Sequence, residues 1–159
     1  MSMYKSPSTK KEFIERTSSI IQQYQAQENK LGTEFYDVTL YLNCLLGLVI
    51  LPREWKINEL SDKSIPDNIL KTLTKVQDTN GKAIEIGFKE YIIGLRNGIV
   101  HFGQKESLVF EESNGIISSI QIESEYTINR VKKYASFLFN LTDGNQLTDA
   151  INEILVFIN

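Results

Sequence analysis

The chain has 159 residues and a formal net charge of −3, with 42% hydrophobic and 23% charged residues. That composition is globular and not disordered, and the length suits one domain, residues 1–159, with its own core. The negative balance excludes strong nonspecific attraction to nucleic acid, so any RNA contact requires a local basic site.

Cys44 is the only cysteine. This excludes an internal disulfide framework and fits a reducing, cytoplasmic compartment. The polar start, Met1 to Lys11, has no apolar segment of the signal-peptide kind, so no leader is expected. The apolar-rich run from Val38 to Leu51 is too short to span a bilayer and contains Thr39 and Asn43. It reads as a buried core helix, and no membrane contact is expected.

In chain order, Ser8 or Thr9 is a suitable N-cap for a first helix. Its inward stripe is Phe13, Thr17, Ile20, Ile21 and Tyr24, and it should run to about Asn29. Thr33 can cap a second helix through Phe35, Val38, Leu42, Leu45, Leu46 and Val49. With Leu40, Cys44, Leu48 and Leu51 it is apolar nearly all round, as a central helix of a bundle would be. Pro52 ends it. Residues 52–82 form a looser connector, either plain or a flap over a functional surface. Within it, Ile65-Pro66-Asp67-Asn68 opens a short helix through Ile69, Leu73 and Val76, and Asp78-Thr79-Asn80-Gly81 reads as a turn.

From Ile84, apolar residues at Phe88, Tyr91, Ile92, Leu95, Ile99 and Phe102 mark one face of a further helix. Leu108 to Glu112 and Ile116 to Ile122, joined at Asn114-Gly115, carry the alternation of a hairpin at about 108–122. Ile116, Ile120 and Ile122 share its inward face. Its glutamates, Glu111 and Glu112, would repel phosphate, which puts the hairpin at the periphery of any RNA chemistry. Thr127 opens another helix with Ile128, Val131, Ala135 and Leu138 inward, ending near Asp143-Gly144. Leu147, Ile151, Ile154, Leu155 and Ile158 form the last amphipathic helix. The expected fold is mainly all-α, an antiparallel bundle of four to five helices with one small β-hairpin insertion.

The third long helix carries the chemistry. It ends on the only histidine of the chain, in Arg96-Asn97-Gly98-Ile99-Val100-His101. Asn97 and His101 share a stripe with Glu90 and Gly94, whereas Arg96 lies roughly 140° from His101 around an ideal helix. The pair can meet at one phosphate if the helix loosens near Gly98, or if a second chain supplies one of them.

This segment resembles the R-N-x-x-x-H signature of the HEPN superfamily, named for a nucleotide-binding domain of higher eukaryotes and prokaryotes. Phe13-Ile14-Glu15-Arg16-Thr17 and the stretch from Tyr36 to Glu54 resemble a bacterial, often plasmid-borne branch of it. The resemblance implies a helical domain and a composite site where two motif helices meet in a homodimer. It also implies a metal-independent ribonuclease of toxin–antitoxin or phage-defence type, with RNA as substrate and an antitoxin or other regulatory partner. Some members have only a binding or regulatory role. Some HEPN toxins carry a tyrosine two residues after the motif histidine, which a partner nucleotidyltransferase modifies; Gly103 stands there in this chain.

Each candidate has a structural alternative. His101 is either a catalytic acid or base, titrating near neutrality, or a hydrogen-bonded residue at a helix end. Arg96 offers a planar, permanently cationic fork suited to a phosphate gathering charge. Asn97 either orients the imidazole or binds phosphate, or is a solvent-facing or dimer-contact amide. Glu90 reads as a solvated charge, with a catalytic acid as the alternative. Gly94, Gly98 and Gly103 suggest close approach of another backbone or a deliberate bend, with Gly103 alternatively the C′ residue; the resemblance would make the backbone that Gly94 and Gly98 admit a partner helix. Trp55 and Tyr41 either stack on bases or pack. One histidine and one cysteine do not make an ordinary transition-metal site, and no phosphate-binding glycine motif occurs, so neither metal nor cofactor is expected. Two readings follow: a metal-independent endoribonuclease built on Arg96, Asn97 and His101, and a non-catalytic helical dimer module that binds nucleotide, RNA or a partner protein.

Overall fold

A computed structural model describes residues 15–17, 19–20, 22–23, 26, 43–44, 47, 63–101, 108–113, 116–142 and 146–158. The named elements are a short helix Asp67–Leu70, strand β1 Leu73–Asp78, the motif helix Phe88–Val100, β2 Leu108–Ser113, β3 Ile116–Ile128, β4 Val131–Asn140 and a last helix Gln146–Ile158. The described residues between 15 and 26 and between 43 and 47 are also helical.

The expected all-α bundle is not the fold. The strands form one four-stranded antiparallel sheet in the order β1-β4-β3-β2. The hairpin read at 108–122 exists, but β3 continues to Ile128, and the helix expected from Thr127 is β4. The spacing of Ile128, Val131, Ala135 and Leu138 fits a helix, yet the chain follows a period of two. Ala135, Phe137 and Phe139 are buried, opposite an alternating set of Ile120, Ile122, Ser124 and Tyr126 on β3. Val131 and Leu138, expected inward, are exposed. A two-residue turn joins the strands, with φ of 51° at Asn129 and 66° at Arg130. Two positive φ values are what a type I′ hairpin needs, and here no glycine announces it.

β1 also replaces expected helix. The short helix stops at Leu70, where the Thr72 N–H and Oγ1 both donate to the Ile69 carbonyl, at 2.9 and 2.7 Å. Leu73 and Val76 then pair with Phe137 and Ala135 of β4. The turn at 78–81 is as read. Asp78 Oδ1 accepts the N–H groups of Asn80 and Lys82 at 2.8 and 2.9 Å, and Gly81 has φ of 77°.

One face of the sheet carries the core. Phe88, Tyr91, Ile92 and Leu95 of the motif helix pack there with Ile120, Ile122, Phe137 and Phe139. The last helix adds Leu147, Ala150, Ile151 and Ile154, and Asn68 ties it to the short helix by donating to Glu153 Oε1 at 2.5 Å. Cys44 is half-buried against this core, and burial raises its thiol pKa. Of the first-helix stripe, Thr17 is buried but Ile20 is exposed. Phe13, Ile21, Tyr24, Tyr41, Trp55, Phe102, Gly103 and Asn114-Gly115 lie outside the described residues, as do the 52–62 part of the connector and most of the second-helix stripe. Among the described residues, no helix is long and apolar enough to cross a membrane.

Candidate active site

The motif helix begins after Gly87, an extended residue with φ −89° and ψ 177°, and no side chain caps it. Its first N–H, from Phe88, instead donates to the Lys63 carbonyl at 2.9 Å. Buried Phe88, Tyr91, Ile92, Leu95 and Ile99 form the expected stripe. Tyr91 is anchored at its hydroxyl, 2.8 Å from Thr72 Oγ1. The single Thr72 proton is engaged with Ile69, so Tyr91 is the donor. The ring meets Phe137 edge-on, with centroids 5.3 Å apart.

Two glycines set how closely this helix lies on the sheet. A Cβ at Gly98 would fall 2.3 Å from Ile122 Cγ2 and 3.1 Å from the Glu123 carbonyl oxygen. One at Gly94 would fall 3.2 Å from both Phe137 Cζ and Tyr126 Cε1. Between them, Ser124 Oγ donates to the Gly94 carbonyl oxygen at 2.6 Å. What Gly94 and Gly98 admit is therefore the sheet of the same chain and not a partner helix: the Tyr126 and Phe137 rings at Gly94, and β3 at Gly98. The hairpin is likewise no small insertion, because its second strand is the floor of the motif helix.

The motif residues occupy the opposite side. The helix runs unbroken through Gly98 to Val100, so no loosening brings Arg96 and His101 together within one chain. They stay about 140° apart around the axis, on two shoulders of the outward face. Half-buried Ile93 and Asn97 and exposed Val100 lie between them. Arg96 is half-buried and donates from a terminal guanidinium nitrogen to Asn97 Oδ1 at 3.3 Å. His101 is the exposed C-cap residue, with φ −91°, ψ 20° and its N–H on the Asn97 carbonyl at 3.0 Å. Asn97 thus stands between the two shoulders, touching Arg96 by side chain and His101 by backbone.

Glu90, read as a solvated charge, is instead paired. Its Oε2 lies 2.6 Å from Lys133 Nζ, and both side chains are largely covered, at 22% and 17% exposure. Glu90 stands in the first turn of the helix, where the helix dipole favours an anion. Tyr126 is close by. Burial first, and the Glu90 charge second, push its hydroxyl well above a tyrosine's ordinary pKa. Sequence reasoning missed Ser124, Tyr126 and Lys133 because their partners are remote in the chain; the alternation Ile120, Ile122, Ser124, Tyr126 was the available signal. Among the described residues, no three His, Cys, Asp or Glu side chains are grouped to hold a metal ion.

Comparison with protein families matches residues 1–158 to a family described as HEPN pEK499 p136. The chain belongs to this HEPN family. Membership points to a nuclease or a nucleotide-binding module, in a group whose domains commonly dimerise. No curated protein and no solved structure matches the chain significantly.

Proposed function

We propose that this HEPN protein is a homodimeric endoribonuclease that needs no metal, serving a bacterial defence or toxin–antitoxin type of system. The observation that supports the reading is the placement of Arg96, Asn97 and His101 on the outward face of one unbroken helix. Each chain presents the cation and the imidazole on opposite shoulders, so a site that uses both on one phosphate takes them from two chains. In this mechanism the RNA 2′-hydroxyl attacks the adjacent phosphorus, and the bond to the 5′ oxygen breaks. His101 takes the hydroxyl proton or gives one to the leaving oxygen, Arg96 holds the charge gathering on the phosphorane, and Asn97 fixes the Arg96 side chain. The products are a 2′,3′-cyclic phosphate and a 5′-hydroxyl, and DNA is not cut.

The net charge of −3 favours the competing reading, a non-catalytic dimer module that binds nucleotide, RNA or a protein. Mixing two inactive variants separates the readings. Arg96→Ala and His101→Ala chains, unfolded and refolded together, should recover roughly a quarter of wild-type cleavage, since half of randomly paired dimers are mixed and each has one intact site. Recovery absent in a mixture that dimerises normally would refute the composite site. An RNA with one 2′-deoxy sugar at the cut position should resist cleavage, and cutting there would refute the mechanism.

A further inference from the structure

The two edges of the sheet are finished differently. β1 and β2 are the outer strands. On β1 the chain turns at Gly81 and comes back along its own outer side, where Ile84 N–H donates to Val76 O at 3.1 Å, Asp78 N–H donates to Lys82 O at 3.0 Å, and Ala83 bridges Gln77. Lys75, a charge of the kind that protects strand edges, stands on the remainder. Among the described residues, nothing pairs with the outer side of β2. Five of its six residues are exposed, Val109 and Phe110 by 42% and 41%.

Edge strands are ordinarily blunted by a bulge or a charge. β2 has both, but at one end. The register shifts between Glu111 and Glu112, and these are its only charges. Leu108, Val109 and Phe110 form a regular, uncharged edge. Phe110 ends a row through Ile120 and Phe139 on the core face, and Val109 ends a row through Gln121 and Leu138 on the other. Leu138 is itself 39% exposed. A fifth strand beside β2 would lengthen the apolar row on the core face, lie beside Val109 on the other, and bring its own side chains against Glu111 and Glu112.

We propose that the β2 edge is a docking site for an extended segment of a partner protein, added antiparallel, with two basic residues followed by apolar ones. Main-chain bonds to the outer side of β2, which no described residue pairs, supply the attachment, Val109 and the Phe110 row select apolar residues, and the glutamates select lysine or arginine and fix the direction. A second copy of β2 laid antiparallel in full overlap would face Glu111 and Glu112 with Phe110 and Val109, without the cations that a basic segment supplies. This inference does not depend on the ribonuclease reading.

The probe is the blocked peptide Ser-Lys-Lys-Val-Ile-Val-Thr-Ser, titrated against the full chain. It should bind with a dissociation constant below about 1 mM and slow amide hydrogen exchange in residues 108–113. A peptide with glutamate for both lysines should bind about tenfold more weakly, and the Glu111→Lys/Glu112→Lys protein should reverse that preference. Glu111 accepts Ser119 Oγ at 2.8 Å, so Glu112→Lys alone serves as a second variant and should weaken binding in the same direction. A peptide with proline for its isoleucine keeps the charge but interrupts the main-chain bonds, and should fail. The proposal is overturned by no binding at about 1 mM, by equal binding of the proline or glutamate peptide, or by β2 amides whose protection without peptide rises with protein concentration, which would mark a second copy as the occupant.

Discussion

The inward and outward sides of the motif helix obey different rules. Inward, the helix is fitted mainly to the sheet: aromatic rings interlock, two glycines let the helix down onto β3 and the Phe137 ring of β4, and Ser124 holds the Gly94 carbonyl. Outward, the same helix carries a guanidinium, an amide, an imidazole and the exposed Val100, all outside its buried stripe. A rigid inner side makes an outer side whose groups keep fixed positions, which is what a preorganised site demands. Changes on the two sides should therefore separate, with stability lost on one and activity on the other.

The largest effect is expected inside. Phe137→Ala empties a fully buried position under Tyr91 and should cost about 3–5 kcal/mol in denaturant unfolding. His101→Ala should lower RNA cleavage by about 10²–10⁴ while the melting temperature barely moves. A melting shift as large as that of a core variant would erase the distinction. Gly98→Ala gains helix propensity, but its new methyl collides with Ile122 and the β3 backbone, so a net loss of about 1–3 kcal/mol is expected by denaturation.

The pH dependence of stability tests the buried tyrosines. Burial raises the pKa of both Tyr91 and Tyr126 above the unfolded value. The folded state thus holds these protons more tightly, and the resulting stability is complete below about pH 10, the unfolded tyrosine pKa, and is lost as pH rises toward the folded values. Each tyrosine should steepen the alkaline fall by about 1.4 kcal/mol per pH unit, and Tyr126→Phe should flatten it in unfolding curves taken above pH 10. The smallest effect belongs to Glu90→Gln. It leaves Lys133 without its carboxylate in a largely covered position, and should cost about 1 kcal/mol and leave cleavage unchanged.

The sequence carried the motif helix and the last helix clearly, since each shows a one-sided stripe of buried residues. It carried β2 and the first half of β3 through their alternation. It did not carry β4. Ile128, Val131, Ala135 and Leu138 satisfy a period of 3.6 by coincidence, and Asn129-Arg130 makes a tight turn without the glycine that marks most of its kind. Gly94 and Gly98 announced a close neighbour but could not say which, because a missing side chain has no address. Glu90 looked solvated because its cation, Lys133, arrives from another strand. The three motif residues were legible from spacing and resemblance. Their position on the outward face followed from the stripe beneath them.

The order of the strands along the chain has a consequence for synthesis. The helix bearing Arg96 and His101 is made before β3 and β4, the strands on which it rests, and β1 waits still longer for its partner, since Val76 pairs with Ala135. Until the ribosome has passed Ile128, this helix lacks its β3 floor, and a 13-residue helix without tertiary support is marginal in water. Closing β1 onto β4 is a long-range step with a large loop entropy, and the loop it closes contains the motif. The outward face thus takes its final shape late, after the sheet has closed around the segment that presents it.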